Sequence, residues 1–346
     1  MTAAPLLGYW LAAAPRPGQG WPADVTALGE HVAAAEQVLP GLTAAQAALV
    51  HEECRAARLA FVEAHAERLH AALGPGRIEH LVDGAAAAVP HLLGAVSPAH
   101  DRAVVAEGFL RVPAVARSVA AETLQPTARA RALAGSLATG LATGPVRVGA
   151  MTVELDGGTA HLRGPGLVDD LETAVDLVLL HPDARVGVVH LGGAPAVLPE
   201  PPAEMRLRRE LGCVNKLTTG RKPWVAAVEG DVAGFAVYLL GAFDRVVADA
   251  DACLHVPAPV YPGPRLARRL GGDLLRELAT RRDPVPVYAP TGRRLCHAVT
   301  DRADLAGTVA AHAAGLSGRA PLRPADAFDD DYCRRLAGLA ACDPDA

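Results

Sequence analysis

Three short runs, RVGVVHL at 185–191, WVAAV at 224–228 and RVVAD at 245–249, are apolar at successive positions instead of alternate ones. A strand without a polar side must be covered on both faces, and a parallel sheet between helical layers does this. The stretches before and between the runs carry helical patterns, at 169–180, 204–218 and 234–241, the first of them stopped by His181-Pro182. Strands alternating with helices predict an α/β domain. Ahead of it, VRVGAMTVEL and TAHLR flank Asp156-Gly157-Gly158, a turn sequence that predicts a hairpin. ACLHVP at 252–257 supplies a further strand.

The chain before about residue 144 reads as helices. Thr43-Ala-Ala-Gln46 is a capping box, in which each side chain satisfies an orphan backbone donor of the other residue. It opens a long pattern with Leu49, Leu59, Phe61, Leu69 and Leu73 among charged positions, ended by Gly74-Pro75-Gly76. A second helix starts at SPAHD, with Ser97 as N-cap, Pro98 in the first turn and Asp101 favourable to the dipole. From Pro257 onward the sequence reads as helical again, with proline-rich breaks. The expected organisation is a helical domain over 1–144, an α/β core over 145–257 and a helical C-terminal region over 258–346.

The 346 residues carry a formal charge of −5, which offers no electrostatic footprint for nucleic acid or an anionic membrane. Six scattered cysteines without a C-x-x-C pair read as reduced thiols, and hence as a cytoplasmic protein. The apolar start APLLGYWLAAAP has no preceding Lys or Arg and reads as a segment docked on the protein body rather than a signal. No apolar run reaches the ~20 residues of a membrane span. The histidines, thirteen in all, form no metal-ligand spacing, and no G-x-G-x-x-G follows a strand, so neither metal, flavin nor nicotinamide is expected.

The span 222–257, KPWVAAVEGDVAGFAVYLLGAFDRVVADADACLHVP, resembles the central signature of the crotonase superfamily, the enoyl-CoA hydratase/isomerase fold. That signature has Lys-Pro before an apolar strand, a glycine-rich turn entering a helix, and Asp-x-Arg-Val before the next strand. LETAVDLVLLHPDARVGVVHL, RRELGCVNKL and the helical extension RLAFVEAHAERLHAAL are most similar to one branch, the cofactor-independent dioxygenases of (3,5-dihydroxyphenyl)acetyl-CoA. The resemblance covers most of residues 40–257. It implies a crotonase-like α/β fold, an acyl thioester substrate carried by coenzyme A or an acyl carrier protein, no cofactor beyond that coenzyme, and a homotrimer or homohexamer held by the C-terminal helices.

It also implies chemistry at named positions. In the family a thioester enolate is held by two backbone N–H groups, one from each of two loops, the second at a helix N-terminus. The family's glycine triplet corresponds here to Gly234, Phe235 and Ala236, and the donor is the middle one, Phe235. Its ring either walls the acyl pocket or plugs it. The loop supplying the first donor is shortened to GGAPAVLPEPP, where Gly192, Gly193 or Ala194 substitutes, with Gly193 the central candidate. The family's substrate-facing Asn-Ala-Glu motif is reduced to GPGLVDD.

The two glutamates that handle water in hydratases correspond to Tyr238 and Ala258, so ordinary hydration is not expected. A phenol at 238 still offers a hydrogen bond to substrate. His190, at a strand end beside the carbonyl site, reads either as a base or donor or as a core histidine, and His255 poses the same choice. Arg265, Arg268, Arg269 and Arg276 recur at helical spacing and read either as coenzyme A phosphate ligands or as a solvated helix face. Two functions remain open: an enolate-forming enzyme, with oxygen as second substrate, and an inactive paralogue serving as partner subunit or scaffold.

Overall fold

The computed structural model describes residues 17–94, 98–141, 144–164, 169–192, 210–255, 266, 269–271, 283–319, 328, 332–333, 335 and 337. The chain divides into two compact units, 1–122 with 329–346 and 123–328.

In the first unit lie α1 (Trp21–Val38), α2 (Ala44–Leu73), α3 (Ile78–Ala88), α4 (Pro98–Arg111) and α5 (Pro113–Thr123). The capping box forms as expected, with the Gln46 amide donating to Thr43 Oγ1 and the Thr43 amide to Gln46 Oε1. Gly74 ends α2 at φ 80°, in the left-handed region that favours glycine. Phe61 and Leu69 are buried, but Leu49 is 55% exposed, because the buried stripe runs through its neighbour Val50 and Cys54. Arg58 and Asp101 form a buried ion pair at 2.9 Å, and Asp101 also accepts from the Gly94 amide. Asp101 thus holds the chain ahead of α4. The Ser97 cap lies outside the described residues.

The second unit contains α6 (Ala128–Leu141), β1 (Val146–Val148), β2 (Met151–Asp156), β3 (Thr159–Arg163), α7 (Asp169–Leu180), β4 (Val186–Leu191), a π-helical turn (Glu210–Val214) running into α8 (Asn215–Thr219), β5 (Trp224–Val228), β6 (Val232–Ala233), α9 (Phe235–Leu239), β7 (Arg245–Asp249), β8 (Cys253–His255), β9 (Val285–Pro286), α10 (Pro290–Leu295), β10 (Ala298–Thr300) and α11 (Leu305–Leu316). A seven-stranded sheet has the order β1-β2-β3-β4-β5-β7-β10, and a small sheet the order β6-β8-β9. From β3 to β10 the large sheet is parallel, as the two-sided apolar runs require. The hairpin at Asp156-Gly157-Gly158 forms, with both glycines at positive φ, 52° and 89°.

Three expectations are corrected. VRVGAMTVEL is two strands, broken at Gly149 (φ 60°), with Asp170 accepting from the Ala150 amide to hold the turn. The C-terminal region is not purely helical, since β10 extends the large sheet parallel to β7 and β9 joins the small one. Helix α6 falls within the sheet-containing unit, where Asp176 on α7 accepts from the Thr127 amide just ahead of it.

Both faces of the parallel strands are covered. Val189, Leu191, Trp224, Ala226, Val228 and Val246 share one core with Leu171, Val175 and Val178 of α7 and with α9. Val186, Val188, Val225, Ala227 and Val247 share the other with Leu305, Val309 and Ala313 of α11. Each such aliphatic side chain contributes about 1.5–3 kcal/mol. Gly187 makes the strand pairing possible, because a Cβ there would sit 2.1 Å from the Trp224 ring.

Candidate functional site

The glycine-rich turn lies between β6 and α9. Gly234 takes φ 58° and ψ −131°, a conformation costly for any side-chain-bearing residue, and its amide donates to the His255 carbonyl. Phe235 and Ala236 already have helical backbone. Only Gly234 of the three positions therefore needs to be glycine, and Phe235 is admitted without backbone strain. Its ring is half-buried and packs against the core that contains Tyr238. Tyr238 is 8% exposed.

The Lys-Pro of the signature has a structural task. Lys222 Nζ donates to the carbonyls of Val178 (2.6 Å) and His181 (2.5 Å), capping the C-terminal end of α7 where its dipole is negative. Burial pushes this ammonium down to about 8.

His190 and Glu229 stand at the C-terminal edge of the parallel strands, where open α/β sheets bind ligands. His190 Nδ1 lies 2.5 Å from Glu229 Oε1, His190 Nε2 lies 3.1 Å from His161 Nδ1, and Arg163 Nη1 approaches both His190 Nδ1 (2.9 Å) and Glu229 Oε1 (3.7 Å). One ring nitrogen cannot donate to the carboxylate and accept from the guanidinium at once. The charge-assisted bond to Glu229 assigns the proton to Nδ1, and Arg163 then acts on the carboxylate. His190 Nε2 is left as acceptor for His161 Nδ1–H. Burial holds His190 below its ordinary value against the opposing pull of Glu229, and burial followed by Arg163 does the same to His161. Both shifts favour the neutral imidazole.

Strand register produces this chain. His161 is aligned with Val188 and His190 with Ala227, so residues 161, 163, 190 and 229 share one face at adjacent strand ends. That face is the one α11 covers, whereas Tyr238 packs on the other. His190 is thus no isolated core histidine, and it does not meet Tyr238 across the sheet. The partners Glu229, His161 and Arg163 were not among the sequence candidates; the signal available was the matching alternation parity of the three strands.

The other candidates are placed as follows. Gly192 passes close to the end of β5, where a Cβ would meet the Glu229 carbonyl at 2.2 Å, so packing already requires glycine there. Gly193, Ala194, Ala258, Arg265, Arg268 and Arg276 lie outside the described residues. Arg269 donates to the carbonyls of Leu240 (2.8 Å), Phe243 (2.9 Å) and Leu295 (3.0 Å), and its remaining contact is His297. It ties the turn after α9 to the end of α10 instead of standing on a solvated face. His255 Nε2 pairs with Asp231 at 3.0 Å. No group of three metal-ligating side chains occurs among the described residues, and no helix there is long and apolar enough to cross a membrane.

No protein-family model matches the chain. Solved structures similar to it include EchA1_1 from Mycobacterium paratuberculosis, at 19% identity and TM-score 0.43 over 56% of this chain and 90% of that one. An enoyl-CoA hydratase/isomerase family protein from Silicibacter pomeroyi has 20% identity and TM-score 0.42 over 49% and 84%. A curated relative, (3,5-dihydroxyphenyl)acetyl-CoA 1,2-dioxygenase of Amycolatopsis orientalis, is 30% identical over 85% of this chain and 80% of its own length. With a relative of that identity and coverage, and the signature carried on the parallel sheet and glycine turn described above, the chain belongs to the crotonase superfamily.

Proposed function

We propose that the protein acts on an acyl thioester, of coenzyme A in the first instance, by removing a proton next to the carbonyl and stabilising the enolate with backbone N–H groups near Phe235 and Gly193. The observation that carries this reading is Gly234, which keeps the positive-φ turn into α9 on the family signature although the next residue is phenylalanine. The His190–Glu229 pair is assigned no step, because it lies on the face opposite Phe235 and Tyr238 and His190 Nε2 already accepts from His161. Tyr238 is assigned to ordering the acyl group.

The relative's activity directs the choice of substrate, an arylacetyl-CoA, and of second substrate, molecular oxygen. The carbanion form of the enolate would react with oxygen directly, and thioester hydrolysis would follow in the same pocket. A homotrimer or a hexamer of trimers is the expected assembly. Incubation with (3,5-dihydroxyphenyl)acetyl-CoA in air should consume oxygen and release coenzyme A. Release without oxygen uptake would remove the dioxygenase step.

A second reading, an inactive partner subunit, is favoured by one observation: Phe235 places a half-buried ring on the family's donor position. It predicts neither uptake nor release.

A further inference from the structure

At the opposite edge of the sheet, the N-terminal ends of β5 and β7, a recess of about 580 Å³ is lined by Arg245 and by residues 314–319, including Ser317 and Arg319. Strands of five residues at ~3.3 Å per residue separate it by roughly 13 Å or more from the edge that carries His190 and Glu229.

The charges around the recess do not balance. Arg319 pairs with Asp244 Oδ1, and the other oxygen of that carboxylate accepts from the Trp224 amide at 2.9 Å. Arg245 makes one long hydrogen bond, 3.3 Å to the Asp244 carbonyl, and has no carboxylate within 4 Å among the described residues. Arg269 adds a third guanidinium, spent on backbone carbonyls and on His297 Nδ1, which also accepts from the Val246 amide at 3.0 Å. Among the described residues, three guanidinium groups thus share one carboxylate, Asp244.

The C-terminal end of α11 borders the recess and contributes about half a negative charge. That leaves the cluster positive, and Arg245 makes no hydrogen bond to the α11 carbonyls that would mark it as a helix cap. Burial first, then the fields of Arg269, Arg245 and His312, pushes His297 down to about 4, consistent with uncompensated positive charge. A concave surface lined by a guanidinium with no carboxylate partner among the described residues, by a second guanidinium and by a serine suits an oxyanion.

We propose that this recess binds the phosphate group of a small molecule, with Arg245 and Arg319 as its ligands and Arg269 and His297 as the shell behind them. The site is separate from the thioester chemistry and does not depend on it.

Calorimetric titration of the full-length protein with inorganic phosphate and with AMP tests this. Binding in the millimolar range or tighter is expected for at least one probe. A free-phosphate site binds both equally, and an organic-phosphate site binds AMP more tightly. Arg245→Gln should weaken binding by about tenfold, the equivalent of one charge-assisted hydrogen bond, while Arg245→Lys should retain part of it. Thermal melts of both variants establish that they fold. In the same samples, the proton NMR titration midpoint of His297 should rise when ligand is bound to the parent protein, because an anion offsets the guanidinium field. No binding of either probe at millimolar concentration, or binding unchanged in folded Arg245→Gln, would overturn the proposal.

Discussion

His190 on β4 and Glu229 at the end of β5 meet at 2.5 Å through Nδ1 and Oε1, and this contact fixes the tautomer of the imidazole. Glu229 also raises the affinity of His190 for a proton, opposing burial and Arg163. Glu229→Gln removes that opposition, so the His190 value should fall further. Proton NMR titration should show the His190 midpoint at lower pH in Glu229→Gln than in the parent, while turnover is kept, as expected of a pair on the face opposite Phe235 and Tyr238. An unshifted midpoint in Glu229→Gln would show that the carboxylate does not act on the ring.

Phe235→Gly distinguishes a wall from a plug. The half-buried ring and the glycine introduced at a helix start together cost about 1–3 kcal/mol of stability. For a wall, calorimetric titration should show weaker binding of an arylacetyl-CoA to the variant than to the parent, since a contact surface is lost. Weaker binding by the variant is the expected outcome. Binding by the variant alone identifies a plug and supports the partner-subunit reading.

Lys216 is fully buried, with Nζ 2.9 Å from Glu172 Oε1 and 2.7 Å from Asp176 Oδ1. Lys216→Met leaves two buried carboxylates without their cation, a change expected to cost about 3–5 kcal/mol in a urea titration at pH 7. Burial already holds Asp176 above the ordinary carboxylate value in spite of Lys216. With its folded value raised, the native state binds this proton more tightly than the unfolded chain does. The variant's deficit should therefore shrink as pH falls and grow as pH rises through the folded value. A deficit independent of pH would show that the loss is one of packing alone.

Much of this molecule was legible where one local rule decides. The unbroken apolar runs gave parallel strands, Thr43 and Gln46 a capped helix, and Asp156-Gly157-Gly158 a hairpin. The break at Gly149 was not legible, because it is held by Asp170, a residue distant in sequence. Strand β10 has three residues and acquires its identity from pairing with β7. The side-chain chain at His190 escaped for the same reason, since Glu229, His161 and Arg163 converge only once three strands are in register. Arg269 showed helical spacing in the sequence, but its partners lie 26 to 29 residues away.

Enolate formation is the central claim, and exchange of the α-protons of (3,5-dihydroxyphenyl)acetyl-CoA in D₂O without oxygen measures it independently of any later step. Proton NMR should show loss of the α-CH₂ signal faster with the protein than in buffer. A thioester that binds, as shown by titration, yet keeps its α-protons at the buffer rate would contradict the account.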